Sequence, residues 1–412
     1  MKSAHITVLF FVFLLLDIII ITISPQLIPY KGFFPYKEIV DGYGLPQWIS
    51  SQANFDGAQY LLIASQGYQQ FQQALFPLYP LLITILGPVF LGNHLIAGLI
   101  LSVVSFYGGL QIFNAYLKEI GKKPEETFWI ILFLLVFPTS FYFHTVYTES
   151  VFFLLISTSL YAFAKKQYLL AGAASIMTSL TRLMGIFLMP VFLVQRIMKD
   201  WAEHVSHEEN KYHSLSQIPG SVITSMRNEW REKRYTLSFV FACVAPVFGL
   251  GIYMTYLWAT YDNPLYFIDA QSAFDANRST DSFVLLPQVL YRYVRILLTV
   301  SGYPFYQALM ELVIFSGVFT VLLADAVKRW KRRTEKDNGI YVSLLLFSFI
   351  NIILPTLTGT LSSTTRYALM SLSFFLFVGE IQNTKVKTAL AATLFALHAV
   401  MLGLYAQGYF VG

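Results

Sequence analysis

The chain has 412 residues, of which 56% are hydrophobic and only 12% are charged, where a soluble domain carries about 25% charged residues. No soluble core of this size hides so much apolar sequence, so the solvent is lipid and an ordinary cytosolic enzyme is excluded. The net charge of +5 comes from cations gathered in connectors, which gives no nucleic-acid platform, and the single Cys243 allows neither an internal disulfide nor a Cys/His metal spacing.

The N-terminus is Met1-Lys2 followed by an apolar run over about 6–24. That run exceeds the roughly 7–15 residues of a signal-peptide core, and no small-x-small cleavage site follows, so it reads as a retained first helix. Asp17 lies toward the outer end of this helix. An intramembrane acid is a functional hypothesis by default, and a hydrogen-bonded structural Asp facing the bundle fits equally.

Residues 25–92 then form a long connector that is not uniformly apolar. It contains Phe55-Asp56-Gly57, Tyr60, Ile63-Ala64, Gly67-Tyr68 and Phe76-Pro77-Leu78-Tyr79-Pro80. A carboxylate among aromatics at a bilayer edge is a candidate general base, because partial burial raises its pKa while a nearby arginine opposes that. The competing reading makes Asp56 the cap of a short helix through Tyr60–Ala64.

Further along, apolar runs near or above the spanning minimum of roughly 17 residues occur at about 93–117, 235–258, 305–326, 339–355 and 388–406. Shorter runs occupy 127–143, 149–164, 168–181, 184–197 and 367–381. Two further stretches, 74–91 and 285–302, carry internal prolines or the pair Arg292 and Arg295, and fit surface-lying or dipping segments. With those two left uncrossed, 21 of the 28 Lys and Arg fall on one side. The positive-inside rule makes that side cytoplasmic. The expectation is an all-α polytopic membrane protein of about eleven spans, N-terminus inside, with juxtamembrane helices on the outer face. Loop 198–234 is then cytoplasmic, and 259–304 is a second outer loop in which a turn at Asn263-Pro264 leads into a polar helix toward Arg278.

On the outer side the notable ionisable residues are Asp56, Glu149, Arg182 and Arg366, each at a separate connector or helix end. Charges at such depth face a cavity or one another, and two acids with two arginines balance. Paired guanidinium donors suit a phosphate, although snorkelling or pairing with Glu149 explains them as well. His144, one turn before Glu149, reads as structural.

In that order these blocks resemble the PIG-V group of multi-spanning mannosyltransferases, within the GT-C class. The matching residues are Phe55-Asp56-Gly57 through Phe76-Pro77-Leu78-Tyr79-Pro80; Phe137-Pro138 with Tyr147-Thr148-Glu149-Ser150; Thr181-Arg182 with Gly185; Asn263-Pro264-Leu265, Phe267 and Ala270-Gln271; and Arg366-Tyr367. One departure is Phe55, where the family usually has Trp, which keeps an aromatic wall and loses an indole donor.

The resemblance implies a GT-C-like bundle forming one glycosyltransferase domain over 1–412, with 25–92 as the catalytic outer loop. It implies an inverting transfer of a sugar, mannose favoured, from a polyprenyl-phosphate donor to a lipid, glycan or protein acceptor. Asp56 is then catalytic. Arg182, Arg366, Glu149, Tyr60, Tyr147, Tyr367 and Gln271 bind donor phosphate or sugar, and Phe55, Gly57, Gly67, Tyr68, Pro77, Tyr79 and Pro80 support the loop. The wider class admits a divalent cation, but no recognisable metal site is present in the sequence. Compact loops point to a prokaryotic plasma membrane with the site facing outward. The alternative is a lipid-linked sugar flippase or other transporter without chemistry, which predicts midplane charges, broken helices and paired repeats.

Overall fold

The computed structural model describes residues 1–31, 37–207, 237–271, 284–333, 335 and 337–412. Arg278 and the charged stretch 208–234 of the expected cytoplasmic loop lie outside the described residues. Among the described residues every regular element is helical, as expected where lipid cannot satisfy backbone groups.

The longer helices, in chain order, are α1 (Ser3–Leu27), α2 (Asp56–Gln66), α3 (Leu78–Leu86), α4 (His94–Glu119), α5 (Pro124–Leu135), α6 (Glu149–Ala164) and α7 (Tyr168–Thr181). They continue with α8 (Leu188–His207), α9 (Leu237–Tyr261), α10 (Leu286–Thr299), α11 (Tyr303–Lys331), α12 (Asn338–Ile353), α13 (Leu372–Gly379) and α14 (Thr384–Ala406). Local chemistry sets several starts. Asn93 and Asn383 cap α4 and α14 through side-chain oxygens. Pro124 opens α5, with Glu125 and Glu126 in the first turn.

Among the described residues six helices are long and apolar enough to cross a bilayer: α1, α4, α9, α11, α12 with its terminal 3-10 turn, and α14. On this basis the chain is an integral membrane protein. The remaining expected spans are shorter or more polar. Helix α5 stops after 12 residues, about 18 Å at 1.5 Å per residue. Pro138 and a 3-10 turn at Ser140–Phe143 then carry the chain irregularly to Glu149. Helix α13 has only 8 residues. The count of eleven therefore does not follow from helix length alone.

The two stretches expected to lie on the surface form separate helices. Residues 78–90 form α3 and a 3-10 turn. Helix α10 has two apolar faces: Val289 and Tyr293 are buried, while Tyr291, Val294 and Leu298 are exposed. Helix α4 packs on α6, α7 on α9, and α8 on α12. A large core runs from α1 to α14, and a smaller one holds Tyr60, Tyr79, Leu95 and Val146 around α2 and α3.

Ionic contacts gather at two opposite ends of the bundle. Helix α6 begins at Glu149 and finishes beside Lys165, which pairs with Glu119 at the end of α4 at 2.5 Å. At that same end Glu380 is bound by Lys122 and Lys328, with Arg329 at 3.7 Å, and Arg329 pairs with Asp325 at 2.9 Å. Burial raises the Glu380 carboxyl, but its two lysine partners outweigh that and hold it below the usual glutamate range.

A carboxyl depressed in the fold contributes stability that is complete above its unfolded pKa and is lost as pH falls through the folded value. Glu380→Gln is therefore expected to cost about 2 kcal/mol, between the exposed and buried limits for ion pairs. It should also flatten the acid-side loss of thermal stability below about pH 4. Melting curves in detergent across this range test the clamp; a variant that melts like the parent at every pH excludes it.

Candidate active site

Phe55 sets the geometry at the end of the molecule opposite Glu380. It precedes α2 with φ 58° and ψ −120°, a conformation a bulky side chain adopts only when its surroundings force it. The forcing contacts are present. The Asn54 side chain donates to the Tyr405 carbonyl at 2.9 Å, and Tyr147 Oη donates to the Asn54 carbonyl at 2.9 Å. The Val146 amide donates to the Gln52 carbonyl at 3.0 Å. The Phe55 ring stands edge-on to Phe410 at 5.5 Å. Gly57 allows this close docking, since a Cβ there would come within 3.2 Å of the Val146 carbonyl oxygen.

Asp56 is consequently the first residue of α2 rather than its cap, and its carboxylate turns to Arg366, whose Nη1 donates to Oδ2 at 2.8 Å. Arg366 Nε lies 3.0 Å from Glu149 Oε1, and Arg182 Nη1 donates to the same oxygen at 2.6 Å. Asp56, Arg366, Glu149 and Arg182 thus form one alternating, charge-balanced row. Glu149 opens α6, where the helix dipole favours an acid, and it is fully buried. Arg182 is held extended between α7 and the 3-10 turn Leu183–Phe187. Gly185 makes that turn, because a Cβ there would sit 2.5 Å from the Ser179 amide. Aromatic faces support both arginines: Tyr367 lies 4.7 Å from the Arg182 guanidinium, and Tyr147 and Tyr142 lie 5.2 and 5.6 Å from that of Arg366.

The row walls a cleft of about 130 Å³. Asp56, Tyr60, Arg182, Gln271, Arg366 and Tyr367 all line it. Burial pushes the Tyr60 phenol well above its ordinary value, which leaves a neutral donor. Tyr147 is fully buried behind Arg366 and is not a lining residue. Glu149 also lies behind the wall, where it orients both guanidinium groups.

The loop residues singled out in the sequence are not among those lining the cleft. Gly67 ends α2 with φ 76°, and Tyr68 Oη donates to the Leu75 carbonyl at 2.7 Å. Pro77 precedes α3, in which Tyr79 shares a 2.7 Å hydrogen bond with Ser102 and Pro80 is buried. In the Asn263-Pro264-Leu265 block, the Asn263 side chain accepts from the Leu265 amide at 3.0 Å, and Phe267 packs on Phe76 at 5.6 Å, which brings Gln271 to the cleft.

Asp17 and His144 are elsewhere. Asp17 bridges His144 at 2.7 Å and His398 at 2.8 Å inside the bundle, tying α1 and α14 to the 140–144 turn.

The structure adds lining residues that no sequence motif had marked: Ala74, Leu75, Leu183, Ser362, Ser363 and Phe410. The hydroxyl-rich run Leu361-Ser362-Ser363-Thr364-Thr365 directly before Arg366 was the available signal for two of them. Phe410 lies beyond every recognisable block.

The donor set does not fit a divalent cation. Both acids in the row face guanidinium groups, and among the described residues no three His, Cys, Asp or Glu side chains are grouped so as to hold a metal ion.

No protein-family model matches the chain, and no curated protein matches it. Among solved structures it is similar to the Archaeoglobus fulgidus oligosaccharyltransferase in the apo form, with TM-score 0.45 and 13% identity over 98% of this chain and 56% of that chain. It is also similar to the archaeal oligosaccharyltransferase AglB from the same organism, solved in complex with an inhibitory peptide and a dolichol-phosphate, with TM-score 0.43 and 13% identity over the same shares. This chain therefore spans little more than half the length of those proteins. The likeness is distant and carries no argument about chemistry.

Glu149→Gln leaves two buried guanidinium groups undercompensated and is expected to cost about 3–5 kcal/mol. Asp56→Asn, at the partly open end of the row, is expected to cost about 1 kcal/mol or less. Equal melting shifts for the two variants in detergent would contradict this ordering.

Proposed function

We propose that the chain is an inverting glycosyltransferase. It moves a sugar, mannose being favoured, from a polyprenyl-phosphate carrier to an acceptor hydroxyl at the end of the bundle facing away from the cytoplasm. The observation that carries this reading is the alternating row Asp56–Arg366–Glu149–Arg182 walling one cleft. Motif order across residues 50–380 supports it independently. The cations Lys122, Lys165 and Lys328 at the opposite end support that facing.

In this mechanism Asp56 accepts the proton of the acceptor hydroxyl while Arg366 fixes the carboxylate through Oδ2. The acceptor oxygen attacks the anomeric carbon, the bond from that carbon to the phosphate oxygen breaks, and the lipid phosphate leaves with the electron pair. Arg182 and Arg366 hold the negative charge that develops on it. Glu149 keeps both guanidinium planes turned to the task and never meets substrate. Tyr60, Tyr367 and Gln271 line the sugar's side of the cleft.

Asp56→Asn should yield a folded protein whose transfer from polyprenyl-phosphomannose to a crude membrane-lipid acceptor falls about 10²-fold or more. Transfer at the parent rate would remove Asp56 from the base role. Arg182→Lys keeps the charge and loses the planar fork. It should raise the donor KM about ten-fold with little change in acceptor KM, and an unchanged donor KM counts against phosphate contact there.

A further inference from the structure

Ser362 has an unusual position. The residue is only 7% exposed, and its Oγ has no hydrogen-bond partner among the described residues, yet it lines the cleft beside Arg366. Buried polar atoms are nearly always paired, and an exception calls for a reason.

The backbone around it is locked. Its amide donates to Thr360 Oγ1 at 3.0 Å, and the Leu361 amide donates to Tyr293 Oη at 3.0 Å. Tyr293 is itself bound to Glu311, and Arg292 Nη1 donates to the Gly359 carbonyl at 3.1 Å. Ser363 then takes φ 66°, a left-handed conformation that a serine adopts at a cost. The loop thus holds a strained bend and an unmatched hydroxyl in one fixed place, next to two arginines. Preorganised donors at a site of developing charge have this character. Both carboxylates of the row are already engaged by guanidinium groups. Each guanidinium has five N–H donors and gives only one or two to these carboxylates, so the group that would complement the cleft is rich in acceptor oxygens, as a phosphate is.

We propose that Ser362 Oγ donates a hydrogen bond to a non-bridging oxygen of the carrier's phosphate. It completes, with Arg182 and Arg366, a three-donor cradle that selects a phosphate ester over a neutral lipid alcohol. The assignment rests on the lipid-phosphate reading above.

The test uses the full chain in detergent, with a C20 polyprenyl monophosphate and the matching prenol as probes. Affinity is read by calorimetry and stability by melting temperature. The parent should bind the monophosphate and not the prenol. Ser362→Ala should weaken monophosphate binding about ten-fold or more, as for a hydrogen bond to a charged group, and leave the unliganded melting temperature unchanged or raised. Ser362→Thr should restore most of the affinity. Parent-like affinity in Ser362→Ala, or a lowered melting temperature without ligand, overturns the cradle while leaving the arginine assignment standing. A parent that does not distinguish monophosphate from prenol overturns the lipid-phosphate reading, and the cradle falls with it.

Discussion

An ionised glutamate cannot sit in an apolar bundle without counter-charge, and Glu149 is where this chain meets that constraint. Its carboxylate is fully buried and is held by Arg182 and Arg366 together. The desolvation of three charges in a low-dielectric interior is offset only when partners are close and well directed. The four segments that supply the row, from the start of α2, from the start of α6, from the end of α7 and from before α13, are thereby fixed relative to one another. The cleft is a consequence of that convergence. Asp56 and Tyr60 reach it because α2 starts where the strained Phe55 directs it, and Gln271 reaches it because Phe267 lies against Phe76.

The long apolar helices were legible because their length is set by the bilayer. Runs at 149–164 and 168–181 coincide with α6 and α7. Of the irregular stretch from Val136 to Thr148, only 144–148 was visible as a break; 136–143 read as the end of a helix. Those residues are as apolar as a helix, and only Pro138 hints that the backbone changes course. Asp56, Glu149, Arg182 and Arg366 were legible as a group because charges near lipid are few and must find one another. What charge alone did not distinguish was depth: Tyr147 and Glu149 support the wall from behind. Phe410 and Ser362 carry no charge and belong to no motif, so only the folded chain brings them forward.

A second polar centre has a different character. Asp17 joins His144 and His398, and His398 also contacts Ser140 at 3.1 Å and the Phe137 carbonyl at 3.2 Å. These contacts join the first and last long helices to the irregular stretch that leads to Glu149. The stretch has only a 3-10 turn and a few short-range backbone hydrogen bonds of its own, and side chains add the long-range ties.

Helix α10 faces in two directions at once. Tyr291, Val294 and Leu298 lie outward, while Tyr293 and Arg292 hold the bend that presents Ser362 and Arg366. Whatever moves that helix along the surrounding lipid also moves the rim of the cleft. Under the proposed function, the tension and headgroup makeup of the host membrane would become inputs to sugar transfer, and a solubilising micelle a chemical variable rather than a neutral container.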